Sequence, residues 1–110
     1  MSRTITISED IVRHLDSLPP SGADVEAKLR ALLEAEYERR LMRYSMTDQQ
    51  FQKKYGMTFE EFERQRIVRE RGYSWEVESD AIEWDLAVSG IRTMRRKLME
   101  LRGKAPDENP

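Results

Sequence analysis

The sequence predicts a mainly all-α protein: one short N-terminal strand that pairs between protomers, then several helices ending in a long C-terminal helix. Three observations carry this. Apolar residues recur at the three-to-four spacing of a helix face over most of the 110 residues. Strand-like alternation occurs once, at residues 3–7. Gly and Pro gather at a few breaks, namely Pro19-Pro20, Gly22, Gly56, Gly72 and Gly103, and leave long uninterrupted stretches between them.

The strand is expected from Arg3-Thr4-Ile5-Thr6-Ile7, which alternates β-branched and polar residues and puts Ile5 and Ile7 on one face. A lone strand leaves its backbone N–H and C=O groups unpaired, so a second copy of the chain is the expected partner. The alternative is a frayed N-terminal arm. Ser8 is placed to cap a first helix whose Ile11, Leu15 and Leu18 share a face before Pro19-Pro20 stop it. Asp24 then opens a longer helix, with Val25, Leu29, Leu32, Leu33, Tyr37, Leu41 and Tyr44 as its apolar stripe.

Two similar segments follow. Met46-Thr47-Asp48-Gln49-Gln50-Phe51 is echoed by Met57-Thr58-Phe59-Glu60-Glu61-Phe62, and each has a threonine three residues before Gln50 or Glu61, the capping-box pattern of a helix start. Two short capped helices are therefore expected, closed by Gly56 and Gly72. The last helix is expected over residues 75–101, with Val77, Ala81, Trp84, Val88, Ile91, Leu98 and Leu101 on one face and Gly90 as a possible kink. The chain is thus expected to divide into a dimerisation module over residues 1–45, a helical partner-binding region over 46–103 and a disordered tail over 104–110.

Composition narrows the function. Charged residues make up 36% of the chain and hydrophobic ones 38%, against roughly 25% charged in an average globular domain. A chain this short buries about two thirds of the surface its unfolded form exposes, so the core is modest. With no cysteine, there is no disulfide framework, thiolate metal site or cysteine nucleophile. His14 is the single histidine and lacks the second histidine a zinc-protease helix carries, so it reads as a helix-surface residue. No phosphate loop or nucleophile elbow is present, and the paired carboxylates Glu60/Glu61 and Glu76/Glu78/Asp80 lack the apolar setting that raises a carboxyl pKa for acid catalysis. The expectation is a protein that is not an enzyme and needs no cofactor or metal. No apolar run approaches the ~20 residues that span a bilayer, which gives a cytoplasmic expectation with no membrane partner.

The formal charge of −2 conceals a segregated layout. Residues 1–72 are balanced, residues 73–90 hold Glu76, Glu78, Asp80, Glu83 and Asp85 with no base, and residues 91–110 carry a net +3. The acidic segment also contains both tryptophans. Tyr73, Trp75, Glu76, Glu78, Asp80, Glu83, Trp84 and Asp85 are the candidate partner-binding residues, combining anchor rings with a field that attracts a basic surface. A second reading stands beside it: acids favour a helix start, the bases Arg92, Arg95, Arg96, Lys97 and Arg102 favour its end, and a tryptophan at helical spacing is commonly core. For nucleic acid the candidates are Arg64, Arg66, Arg69 and Arg71 on one short helix, but Glu60, Glu61 and Glu63 at its start repel phosphate.

Strand, short helix, loop and longer helix over residues 3–41 resemble the ribbon-helix-helix module of small prokaryotic regulators and antitoxins. The resemblance implies a homodimer held by Ile5, Ile7, Leu29 and Leu33, with Ser2, Thr4 and Thr6 on the strand face that reads operator DNA. The family's usual arginine, lysine or asparagine is missing from those three positions. The chain also resembles small antitoxin-like proteins, through Glu36-Tyr37-Glu38-Arg39-Arg40-Leu41, Lys54-Tyr55-Gly56-Met57-Thr58-Phe59-Glu60-Glu61-Phe62 and Gly72-Tyr73-Ser74-Trp75-Glu76-Val77-Glu78-Ser79-Asp80. That likeness implies an antitoxin that dimerises and neutralises a basic cognate toxin, its carboxylates standing in for the phosphates of an RNA substrate. The alternatives are a ribbon-helix-helix transcriptional regulator and a self-assembling helical protein in which acidic and basic parts of the last helix pair between copies.

Overall fold

The computed structural model describes residues 2–103; the tail expected over residues 104–110 lies outside them. In order, the elements are α1 (Glu9–Asp16), α2 (Val25–Tyr55), α3 (Phe59–Arg64), α4 (Ile67–Glu70) and α5 (Trp75–Leu101). The chain divides into two compact units, one ending at Glu36 and the other beginning at Tyr37, so the division falls inside α2.

In the first unit, the Ser8 hydroxyl caps α1 by accepting from Ile11 N at 3.4 Å, and Asp24 Oδ1 opens α2 by accepting from Ala27 N at 2.9 Å. Both caps fall where the sequence places them. Leu15 and Lys28 are buried, and Lys28 Nζ donates to Asp16 O at 2.9 Å, satisfying a carbonyl that the end of α1 leaves open. The expected strand is not formed: residues 2–7 have no regular structure, and among the described residues no strand occurs. Among the described residues of one chain the segment has no second strand edge to pair with.

The second unit pairs α5 with the C-terminal part of α2. As α5 advances through Glu76, Trp84, Gly90 and Arg102, its partners on α2 retreat through Lys54, Asp48, Tyr44 and Glu38, so the two helices run antiparallel. The helix α5 runs uninterrupted through Gly90. The glycine admits the Tyr44 ring, whose nearest carbons would stand 2.6 Å from a Cβ at that position. The core is Phe51, Phe62, Val77 and Trp84, flanked by Tyr55, Met57, Phe59, Ile67, Val68, Ala81 and Val88. Trp84 is its centre, with ring centroids of Phe62 at 5.0 Å, Phe59 at 5.2 Å, Phe51 at 5.6 Å and Tyr55 at 5.8 Å.

Two local expectations need correction. Thr47 starts no helix: α2 runs through it, and its hydroxyl donates back to Arg43 O at 3.3 Å. No Gly or Pro interrupts residues 44–47, and extending an existing helix is easier than nucleating a new one. The expected arginine helix is also divided. Arg66 adopts a left-handed conformation (φ 52°) between α3 and α4, which distributes Arg64, Arg66, Arg69 and Arg71 over a break instead of one helix face. The second threonine does cap, Thr58 Oγ1 accepting from Glu61 N at 3.2 Å, and Gly56 and Gly72 take the left-handed geometry that ends a helix.

Candidate functional site

The residues singled out between 73 and 85 separate into two groups on opposite sides of α5. At 100° per residue, Val77, Trp84, Ala87, Met94 and Leu98 form the buried face. Trp84 is 0% exposed and Trp75 is 80% exposed. Trp84 is therefore core and cannot touch a partner. Its indole Nε1 donates to Asp48 Oδ1 at 2.8 Å, and Gln52 Nε2 donates to Asp48 Oδ2 at 3.0 Å, so the one polar atom of the buried ring is satisfied.

Asp80 and Glu76 are also committed within the chain. Lys54 Nζ donates to Asp80 Oδ2 at 2.6 Å and to Glu76 Oε1 at 2.9 Å, and Tyr55 Oη donates to the same Asp80 oxygen at 2.6 Å. Burial alone would raise the Asp80 pKa; the hydrogen bonds from Lys54 and Tyr55 and the lysine charge outweigh it and hold the carboxyl below its ordinary value. Lys54 moves up through its hydrogen bonds to Asp80 and Glu76. The Tyr55 phenol is pushed up to about 12, first by burial and then by its bond to Asp80. This network locks the start of α5 onto the end of α2.

What remains lies on the outer side of α5, with Trp75, Ile82, Glu83, Asp85 and Leu86 exposed and Glu78 half-buried. Trp75, Ile82 and Leu86 lie seven and eleven residues apart from the first, within about 20° of one line along α5, and Ile82 and Leu86 are 63% and 65% exposed. Glu83 flanks the line on one side, Glu78 and Asp85 on the other, and Tyr73 is exposed just before the helix. The helix is thus apolar on two faces, one filled by the core and one open. Ile82 and Leu86 join the site through the structure, although their spacing from Trp75 is readable in the sequence.

Beside the stripe is a groove of about 490 Å³ lined by Phe59, Phe62, Ile67, Val68, Ala81 and Ile82, with Glu63, Asp85, Arg66 and Arg69 also on its walls. Among the described residues no cluster of histidine and carboxylate side chains could hold a metal ion, and no helix is long and apolar enough to cross a membrane. In the first unit Ile5, Leu29 and Leu33 are exposed and Ile7 is half-buried, while Ser2, Thr4 and Thr6 are exposed on a segment without strand geometry.

Comparison with known protein families, curated proteins and solved structures gives no match. The class that fold and site define is a small helical protein with an aromatic core and an outward apolar face rimmed by acids.

Proposed function

We propose that this protein is an antitoxin-type interaction protein that binds and neutralises a basic partner protein through the outer face of α5. The observation that carries the reading is the stripe of Trp75, Ile82 and Leu86 set between Glu83 on one side and Glu78 and Asp85 on the other, on the face opposite the core. Three large apolar side chains in line on a solvent face are what a docking surface requires, and their acidic rim selects for basic charge. Homodimerisation is part of the proposal. It is supported by Leu29, Leu32 and Leu33, which stay substantially exposed along the first turns of α2.

The test is co-expression with the product of the adjacent gene. Co-purification is expected, and the variant Glu78→Gln/Glu83→Gln/Asp85→Asn should lose the partner while its helical circular dichroism is unchanged. Capture by the triple variant as tight as by the parent would show that these acids serve only α5 itself, and the reading would fail.

A further inference from the structure

We infer that the element seated on this face is an amphipathic helix of the partner, basic along its α5 side, with one apolar side chain inserted in the groove next to Ile82. The inference rests on the interaction reading above and specifies the form and charge of what binds.

The first argument concerns backbone. The face is built from α3, α4 and α5, and among the described residues there is no strand edge for an extended peptide to pair with. An incoming segment that covers an apolar face must satisfy its own N–H and C=O groups, which a helix does internally. The second concerns shape. From Trp75 to Leu86 the stripe extends eleven residues, about 16 Å, three turns of a partner helix presenting anchors at every third or fourth position. The groove adjoins that line, because Ile82 belongs to both, and its apolar walls from Phe59, Phe62, Ile67 and Val68 accept a side chain of leucine or methionine size.

The third argument is charge, and it also decides against a second copy of this chain. A two-fold pairing centred on Ile82 and Leu86 would bring the acids at 78, 83 and 85 of one copy against the same acids of the other, because a symmetric contact repeats one patch on both sides. Like charges facing each other oppose that arrangement. A different chain carrying lysine or arginine meets no such opposition. Away from α5 the groove walls carry Arg66 and Arg69 against the single acid Glu63, so the partner helix is basic on its α5 flank and neutral on the other.

The probe is a synthetic peptide of about 15 residues, about 22 Å as a helix, with a leucine stripe, lysines on one flank and glutamines on the other. Fluorescence anisotropy should give saturable binding to the full chain, accompanied by a gain in helical circular dichroism. Ile82→Ser and Leu86→Ser, both at exposed positions, should leave thermal unfolding in place and weaken binding by about tenfold or more each. A scrambled peptide of the same composition should bind weakly, as should one with glutamate in place of lysine. Equal binding of the scrambled peptide, binding without helix gain, or no binding of the lysine peptide overturns the inference. If the lysine peptide fails while the adjacent gene product is still captured through Glu78, Glu83 and Asp85, the helical form alone is wrong. If that capture is also indifferent to the three acids, the interaction reading falls with it.

Discussion

The unit ending at Glu36 and the unit beginning at Tyr37 contain similar proportions of apolar residues and use them to different effect. In the first, Leu15 and Lys28 are the buried residues, and Ile11, Leu29, Leu32 and Leu33 are left 38–49% exposed. In the second, Phe51, Phe62, Val77, Trp84, Ala87, Met94 and Leu98 are buried. Rings make the difference. Each aromatic side chain removes about 150–250 Å² from water, so a few of them converging on Trp84 close a core that short helices lined with leucine leave open. Apolar surface in the first unit is thus left for another surface to cover, whereas in the second the exposed large apolar side chains lie outside a closed core: Trp75, Ile82 and Leu86 in line on α5, Tyr73 just before it, and Met42 and Met46 on α2.

The comparison breaks most visibly at Trp84. Trp84→Ala should destabilise the second unit by about 3–5 kcal/mol, seen as a lower urea midpoint, because it removes the ring that Phe51, Tyr55, Phe59 and Phe62 pack against and leaves Asp48 without its indole donor. Leu33→Ala in the first unit should change the midpoint of dilute protein by only about 0.5 kcal/mol, as exposed substitutions do. A concentration-dependent loss for Leu33→Ala would instead identify a second copy as its cover.

Next in size is Gly90→Ala. In an ordinary helix interior alanine gains about 1 kcal/mol over glycine. Here the added Cβ would meet Tyr44 Cδ2 and Cε2 at 2.6 Å and Cγ, the ring carbon nearest the backbone, at 2.8 Å, so the ring cannot simply swing its far end away. The expected sign is reversed, a loss of about 1–3 kcal/mol from overpacking. Thermal unfolding of Gly90→Ala, Tyr44→Ala and the double variant checks it: the double variant should be more stable than the two single losses added together.

These sites also show what the sequence made legible. The span of α5 over residues 75–101 agrees with its apolar periodicity, and the caps at Ser8, Asp24 and Thr58 stand where hydroxyl or carboxylate residues precede helical patterns. Thr47 shows the same pattern as Thr58 and caps nothing, because the distinction depends on whether the preceding chain is already helical. The pairing of Lys54 with Asp80 spans 26 residues and has no local signature. The strand over residues 3–7 depends on a partner edge that one chain does not supply. The opposed fates of the tryptophans, by contrast, were available. Nine residues at 100° each turn a helix by two and a half revolutions, so Trp75 and Trp84 cannot share a face. The acidic charge and aromatic rings that residues 73–85 share along the sequence mask that separation.

The Asp80 network sharpens the comparison through pH. Its folded carboxyl lies below the ordinary 3.8, so its contribution is complete above that value and is lost as pH falls through the folded one. Tyr55 and Lys54 are shifted upward, so their contribution is complete below about pH 10 and declines as pH rises toward about 12. Asp80→Asn should therefore lower stability at neutral pH, with the gap to the parent narrowing in strong acid and in strong alkali. Urea midpoints measured across that range check it, and a gap independent of pH would assign the effect to packing alone.

The smallest expected change in stability is at Trp75, and it is the most informative about function. With 80% of the residue exposed, Trp75→Ala should alter the urea midpoint by no more than about 0.5 kcal/mol. The two indoles should also separate optically, since emission from a water-exposed ring lies to longer wavelength and is quenched by iodide, while a ring enclosed by Phe51, Phe59 and Phe62 is shielded. Removing Trp75 should move the emission to shorter wavelength and abolish most iodide quenching, leaving the signal of Trp84 alone. The same variant should weaken capture of the basic partner by about tenfold or more, the loss typical of an aromatic anchor. Persistent iodide quenching after Trp75→Ala would mean that the Trp84 core opens to solvent, and the contrast between the two faces of α5 would no longer hold. Unchanged partner capture, with the optical result as expected, would keep the fold intact and remove Trp75 from the docking face.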